Sequence, residues 1–219
     1  MTNTFEYNFE YAVHRFAPLA LSQLRNVYEG EQGDKKAIEA LKDRNAGEEA
    51  RCKVVKRWLQ NYSVFQGISD ADRMLFTAAI VKWADSRILQ TDLNVEGIIT
   101  AHKSLCSALQ EIQNRKFTSM ASKALWLCYP KSVPMYDSFV DHSLLVISKL
   151  ENIYPIPDRK SEYHQFVHIW QVLYGRYSDA LAIYESVYPY RVRIFDKILW
   201  LIGDRRYVQR VDPSQPDSD

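Results

Sequence analysis

Residues 116–145, KFTSMASKALWLCYPKSVPMYDSFVDHSLL, contain the pattern around which we interpret the rest of the chain. Apolar side chains at helical spacing come first, a segment bounded by Pro130 and Pro134 follows, and a second helical pattern begins at Asp137. The stretch therefore predicts a helix capped by Ser119, a loop shaped by its prolines, and a second helix capped by Asp137.

The remainder of the chain also has the three-to-four spacing of apolar residues that is typical of helices, and no alternating run is long enough to predict a sheet. We expect an all-α fold, a compact bundle of eight to ten helices forming one domain over residues 1–210, with two lobes and a cleft as the alternative. Residues 211–219 are predicted to be a disordered acidic tail. Further predicted features are a break near Pro18, caps at Asp34 and at Ser69 with Asp72, one helix over 161–185 weakened at Gly175, and a last helix ending at Gly203.

The 219 residues are 47% hydrophobic and 25% charged, with a formal net charge of +1, so the total charge predicts no particular partner. Three widely spaced cysteines indicate reduced thiols. The N-terminal segment lacks the features of a signal peptide, and no window approaches the roughly 20 apolar residues that span a bilayer. We therefore expect a soluble cytoplasmic protein that does not act at a membrane.

Several kinds of chemistry are not supported by the motifs. His164 and His168 share a helix face, but Gln165 stands where the zinc protease motif has its glutamate, so no metal is expected. Neither a phosphate-binding glycine loop nor a serine nucleophile elbow occurs, so no nucleotide cofactor is expected. His102 lies in an apolar stripe and is interpreted as a core histidine.

Lys123 and Asp137 are the candidate reactive pair. From Lys123 to Tyr129 a helix travels about 9 Å at roughly 1.5 Å per residue, whereas residues 130–136 reach back at most about 23 Å. The loop is therefore long enough to return Asp137 beside Lys123. A carboxylate next to an amine among aromatic side chains is partly desolvated, which shifts proton affinities and suits a reactive site.

Two segments carry a family resemblance: SKALWLCYPKSVPMYDSFV at residues 122–140 and RIFDKILWLIG at residues 193–203. They resemble the 8-oxoguanine glycosylase-like branch of the helix-hairpin-helix DNA glycosylases. The resemblance implies a metal-independent monomer that flips a damaged or modified base out of double-stranded DNA and cleaves its glycosidic bond. The substrate would be an oxidised purine or a modified base of phage DNA, in repair or in anti-phage defence.

The resemblance also implies roles for individual residues. Asp137 matches the aspartate that stabilises the oxocarbenium-like sugar, and Lys123 matches the lysine nucleophile of members that also have lyase activity. We expect the base pocket to be lined by aromatic side chains, namely Trp126, Tyr129 and Tyr136, with packing in the core as the alternative for Trp126.

Contacts to the DNA backbone are predicted at two places. The glycine turn of the family's hairpin is replaced here by NRKFTSMAS at residues 114–122, where Arg115, Lys116 and the amides near Ser119 would bind a phosphate. The second place is the basic segment 186–211, with Arg191 and Arg193.

Two other hypotheses remain open. Arg159 and His164 have the Arg-x-x-x-x-His spacing of the HEPN ribonucleases, helical proteins in which such a pair cleaves RNA. A non-catalytic helical interaction protein is the third hypothesis.

Overall fold

The computed structural model describes residues 9–30, 33–87, 92–153 and 162–204 of the chain. In these residues the regular structure is entirely helical, with nine α-helices, one 3₁₀ helix and no β-strand. This confirms the predicted all-α class and a bundle of about ten helices. The α-helices are α1 (Phe9–Tyr28), α2 (Asp34–Lys42), α3 (Glu48–Gln60), α4 (Asp70–Asp85), α5 (Val95–Gln110), α6 (Thr118–Cys128), α7 (Ser138–Leu150), α8 (Glu162–Tyr177) and α9 (Arg191–Gly203), and the 3₁₀ helix is Asp179–Tyr184.

Helix α6 is buried on every side. All residues from Met120 to Cys128 are buried, and the helix contacts α2, α3 and α5. A helix that is enclosed all round belongs to the core of a bundle rather than to its surface. Lys123 lies in this buried run, so its side chain is enclosed by the fold instead of extending into solvent.

Helix α9 packs against α1 and against α7. At Gly203 the two backbones approach so closely that an added Cβ atom would overlap the Phe139 carbonyl oxygen and Ser143 Oγ. Gly203 is still part of α9, and the residue in the C-cap position is Asp204. The glycine predicted as a C-cap is therefore required for close helix packing.

Gly203→Ala is expected to lower the free energy of unfolding by about 1–3 kcal/mol, because the added methyl group must displace the α7 backbone. Gly175→Ala is the matched control, since Gly175 lies inside α8 and an added Cβ there meets nothing within 4 Å. Higher helix propensity should raise that variant's free energy of unfolding by about 0.5–1 kcal/mol. Denaturant unfolding measures both, and a neutral Gly203→Ala would contradict the close approach.

Two of the predicted helix caps are confirmed. Ser69 Oγ accepts a hydrogen bond from the Asp72 backbone nitrogen at 3.2 Å, at the start of α4. Asp137 Oδ1 accepts one from the Phe139 backbone nitrogen at 3.0 Å, at the start of α7. Each side chain thereby satisfies a donor that the first helical turn leaves unpaired.

The predicted cap at Asp34 is wrong, because Gly33 occupies the N-cap position of α2. Asp34 is completely buried, and its carboxylate accepts hydrogen bonds from Trp58 Nε1 at 2.7 Å and Tyr188 Oη at 2.6 Å. These two bonds satisfy a carboxylate that would otherwise be costly to bury. The aspartate therefore joins α2 to α3 and to the segment before α9.

Helices α1 and α8 both continue through the residue at which the sequence predicted a break or a weakening. Helix α1 continues through Pro18, whose ring is on the exposed side while the apolar stripe containing Val13 and Leu21 stays buried. Burial of that stripe outweighs the roughly 3 kcal/mol that a proline costs inside a helix. Helix α8 runs through Gly175 and ends at Tyr177, so the predicted helix over 161–185 is divided between α8 and the 3₁₀ helix.

The predicted tail at residues 211–219 lies outside the described residues, and so does Arg159. The extent of the predicted domain, residues 1–210, stays a prediction for the same reason. No helix within the described ranges is long and apolar enough to cross a membrane.

Candidate active site

Lys123 is held inside the protein by two acceptors. The residue is 2% exposed, and Nζ donates hydrogen bonds to Ser119 Oγ and to the Tyr136 carbonyl oxygen, both at 2.7 Å. Burial lowers the pKa of Lys123 to about 8, opposed by the charge of Asp137 and assisted by that of Arg193. A fraction of the amine is therefore neutral near pH 7, which is the form a nucleophile requires.

Ser119 is not the N-cap of α6 as predicted. The helix begins at Thr118, with Phe117 in the N-cap position, and Ser119 lies in the first turn. Its hydroxyl accepts the hydrogen bond from Lys123, one turn further along the same helix. The serine thus positions the lysine amine instead of capping the helix.

The backbone just before Asp137 is held by side chains from two helices. The Met135 nitrogen donates to Asp196 Oδ2 on α9, and the Tyr136 nitrogen donates to Ser122 Oγ on α6, both at 2.9 Å. With the lysine bond to the Tyr136 carbonyl, three backbone groups of Met135 and Tyr136 have side-chain partners. The segment that leads into α7 is therefore anchored, which determines where Asp137 lies.

As a result Asp137 Oδ2 lies 3.8 Å from Lys123 Nζ, and the predicted return of the loop is confirmed. The two side chains differ in access to solvent, since Asp137 is 33% exposed and Lys123 only 3%. The pair therefore presents a partly exposed carboxylate in front of a buried amine. The catalytic role of each residue stays a prediction.

A cavity of about 330 Å³ opens beside this pair. Three cationic side chains and one carboxylate line it, together with two aromatic rings, a methionine and two small polar residues. The lining residues are Asn61, Tyr62, Ser63, Lys123, Met135, Asp137, Arg193, Lys197 and Trp200. Their mixture of flat apolar surface and charge is typical of a site for a polar ligand with an aromatic part.

The three aromatic side chains predicted as pocket walls do not line this cavity. Trp126 is fully buried and stacks on Trp58 with 5.8 Å between ring centroids, and Tyr129 is also buried. Tyr136 packs against α8, where its Oη donates to Glu162 Oε1 at 3.1 Å. Because α6 is enclosed on all sides, Trp126 and Tyr129 at its end are used in the core, whereas Tyr136 lies in the loop before α7 and is turned toward α8.

Tyr62 and Trp200 supply the aromatic surface instead, and the sequence interpretation missed both. For Trp200 a signal was present, because Arg193, Lys197 and Trp200 recur at intervals of four and three residues and so share one face of α9. For Tyr62, at the end of α3, no local pattern indicates a position beside Lys123.

The residues predicted to contact DNA near the hairpin lie away from this cavity. Arg115 is half-buried, with its guanidinium 5.1 Å from the Phe117 ring and both Nη atoms 3.4 Å from the Gln66 carbonyl oxygen. Lys116 is exposed and lies at a second cavity, between α5 and α8. The contacts of Arg115 and Lys116 to the DNA backbone stay predictions.

The two arginines predicted on α9 are separated by the structure. Arg191 forms an ion pair with Glu185 at 2.6 Å and lines a different cavity. Arg193 lines the cavity of the reactive pair, where Nη2 donates to Tyr62 Oη at 3.2 Å. Only Arg193 of these two is therefore placed to act together with Lys123 and Asp137.

Asp196 is a buried carboxylate whose importance the sequence did not indicate. Its two oxygens accept hydrogen bonds from the Met135 nitrogen at 2.9 Å and from Trp170 Nε1 at 2.7 Å. Burial raises the pKa of Asp196 to about 7, against the opposing charge of Arg193. The residue therefore connects α8 and α9 to the loop that carries the candidate catalytic aspartate.

Asp196→Asn is expected to lower the free energy of unfolding by about 1–3 kcal/mol, because it replaces one acceptor oxygen by an NH₂ donor that must face the Met135 nitrogen or Trp170 Nε1. Trp170→Phe removes one of these donors. The double variant should therefore cost less than the sum of the two single variants when denaturant unfolding is compared. Strict additivity would show that the carboxylate does not hold the two donors together.

The second cavity has a volume of about 630 Å³, and His164 is one of its lining residues. His164 is the histidine that the ribonuclease hypothesis makes catalytic. Arg159 lies outside the described residues, so its pairing with His164 stays a prediction. In the same cavity wall His102 stacks on Tyr163 at 3.6 Å, and its Nε2 lies 3.2 Å from the Thr118 carbonyl oxygen. Burial lowers the pKa of His102 to about 4, as fits the core histidine that was predicted.

Comparison of the chain with known protein families, with curated proteins and with solved structures finds no match. In the part of the chain that the structure describes, no group of three or more histidine, cysteine, aspartate or glutamate side chains is arranged to hold a metal ion. What is known of the site is therefore its geometry: a buried amine, a carboxylate beside it and a cavity with charged and aromatic walls.

Proposed function

We propose that this protein is a DNA glycosylase that removes a damaged or modified base from double-stranded DNA. The observation that carries the proposal is the placement of Asp137 Oδ2 at 3.8 Å from Lys123 Nζ, at the wall of an open cavity. The resemblance of residues 122–140 and 193–203 to the 8-oxoguanine glycosylase-like branch supports the same reaction. An oxidised purine, in repair, and a modified base of phage DNA, in defence, are the two substrate classes.

The base would enter the cavity after it has been flipped out of the duplex. A volume of about 330 Å³ is at the lower end of the range for small-molecule sites, which suits a single nucleotide unit. Tyr62 and Trp200 contribute aromatic surface to the cavity wall, and Met135 adds a polarisable apolar contact. We assign base binding to these residues in place of Trp126 and Tyr129, which are buried in the core.

Asp137 would act on the sugar. As the bond between C1′ and the base nitrogen breaks, positive charge develops on the sugar ring, and a fixed carboxylate stabilises that charge without having to reorganise. The hydrogen bond from the Phe139 nitrogen and the anchored loop keep the carboxylate in one position. No cofactor or metal ion takes part in this step.

Lys123 would be the nucleophile. Its neutral amine forms a bond to C1′, the base leaves with the electron pair of the glycosidic bond and takes up a proton, and ring opening gives a Schiff base. The pKa of about 8 supplies the neutral form, and Ser119 and the Tyr136 carbonyl hold the amine toward the carboxylate. The same Schiff base permits cleavage of the DNA strand.

A panel of duplexes tests the proposal. Each would carry a normal, an oxidised or a phage-type modified base, and incubation with the protein followed by alkali would reveal abasic sites as strand breaks. We expect breaks at one class of modified base and none in unmodified DNA. Intact strands over the whole panel would overturn the proposal.

A further inference from the structure

Two cations in the cavity are held by aromatic rings. The guanidinium carbon of Arg193 lies 5.4 Å from the centre of the Tyr62 ring, and Lys197 Nζ lies 3.8 Å from the centre of the Trp200 ring. Arg193 and Lys197 are four residues apart on α9, so both side chains project from one face of that helix. The face of an aromatic ring attracts a cation and orients it.

The Arg193 guanidinium is only partly paired with other groups in the described part of the chain. Within the described ranges no carboxylate lies at ion-pair distance from it, and its Nε is buried without a hydrogen-bond acceptor. The nearby buried carboxylates Asp34 and Asp196 direct their oxygens to neutral donors of other residues. They favour a positive charge at Arg193 from a distance, but they do not occupy the guanidinium group.

The turn after Tyr62, which contacts Arg193, contains a residue in a left-handed backbone conformation. Ser63 has a φ of 54°, a left-handed conformation that costs a non-glycine residue free energy, and it lines the same cavity directly after Tyr62. The turn holds Tyr62 where its ring and hydroxyl both meet Arg193.

We propose that Arg193 and Lys197 form a phosphate-binding subsite in this cavity, beside the Lys123–Asp137 pair. A guanidinium fork and an ammonium group on one helix face match the oxygens of a phosphate better than a single cation does. That the phosphate belongs to a DNA strand rests on the proposed function. A free phosphate ion offers the same chemistry, so the two sources require separate measurements.

The first measurement uses a duplex with a tetrahydrofuran abasic analogue, which has no base to release. Its affinity would be measured by fluorescence anisotropy between about 50 and 200 mM salt. The slope of log affinity against log salt should fall by about 0.9 in Lys197→Gln and likewise in Arg193→Gln. That difference equals a change of about 3.5-fold in affinity over this salt range.

Lys149→Gln is the matched control, because Lys149 is exposed in the last turn of α7, far along the helix from Asp137. It should keep the parent slope. Lys197 is only half-buried, so its variant tests the subsite even if Arg193→Gln does not fold. A parent-like slope in Lys197→Gln would overturn the proposal.

The second measurement distinguishes the sources of phosphate through the Arg193 Nε–Hε resonance in a ¹⁵N–¹H spectrum. A shift with inorganic phosphate, compared with chloride at the same ionic strength, identifies a site that free phosphate fills. A shift with the abasic duplex alone identifies a strand phosphate. No shift with either ligand overturns the subsite.

The subsite and the proposed function can fail separately. If no base is released from any DNA but the Lys197→Gln slope and the Arg193 resonance change, the glycosylase assignment is wrong and the subsite stands. If bases are released and neither the slope nor the resonance changes, the glycosylase assignment stands and the subsite is wrong.

Discussion

Asp137→Asn is expected to reduce base release by about 10²–10³-fold or more, because it removes the negative charge that stabilises the developing positive charge on the sugar. The substitution is informative because asparagine is as good an N-cap as aspartate. The amide oxygen can still accept from the Phe139 nitrogen, so α7 keeps its start while the charge is lost. Initial rates of base release on the duplex that is cleaved measure the effect.

Asp141→Asn is the matched control for this variant. Asp141 lies in the first turn of the same helix, so the substitution removes an equal charge a few residues away from the cavity. It should change the rate by less than about threefold, as expected for a charge at a distance in high dielectric. Full activity in Asp137→Asn would show that the carboxylate is only a helix cap.

Lys123→Met is expected to abolish the covalent protein–DNA adduct that borohydride traps, because the amine that forms the Schiff base is gone. In the parent protein trapping should increase with pH. With a pKa of about 8, the neutral fraction of the amine rises from about one tenth at pH 7 to about nine tenths at pH 9. Trapping yields at a series of pH values, quantified on denaturing gels, measure this increase.

The pH range over which the trapping yield rises distinguishes a buried lysine from an exposed one. An exposed lysine with its pKa near 10.4 would give a yield that is still rising steeply above pH 9. Base release without any trapped adduct would show that water, not Lys123, attacks the sugar. The mechanism would then retain Asp137 and lose the lyase step.

The central helix and the loop after it could be predicted because they depend on local rules. The rise of a helix and the reach of an extended loop limit where Asp137 can lie relative to Lys123, and the capping preference of aspartate marks the start of α7. The burial of Lys123 did not follow from these rules. Residues of three other helices enclose α6, and no pattern within 116–145 records them.

The walls of the cavity depend on tertiary packing. Tyr62, just after α3, and Trp200, on α9, line the same cavity beside Lys123 although they are far apart in the chain. Trp126 and Tyr129 are closer to Lys123 in sequence, and for that reason they were predicted, but α6 directs both into the core. Proximity in sequence to a reactive residue is therefore a poor guide to the lining of its pocket.

Buried polar residues were also beyond local patterns. Asp34 and Asp196 each accept two hydrogen bonds from distant donors, and both stand in segments where an aspartate is equally suited to a helix start or an exposed face. Their placement follows from partners that become neighbours only in the folded chain. Such residues are usually satisfied by hydrogen bonds, as these are.

The ribonuclease hypothesis makes a different prediction for the same preparation. It expects RNA cleavage that is lost in His164→Ala and unchanged in Asp137→Asn. A protein that is inert on both nucleic acids would instead fit the helical interaction protein. The hypotheses are therefore distinguished by which residue the activity depends on: His164 for RNA cleavage and Asp137 for base release.

The most direct test of the central claim is mass spectrometry of the small molecules that the protein releases from the duplex panel. We predict a free base, one molecule for each abasic site formed, with the product lost in Asp137→Asn and retained in Asp141→Asn. Release of nucleotides in place of a free base, or no release from any duplex, would contradict the account.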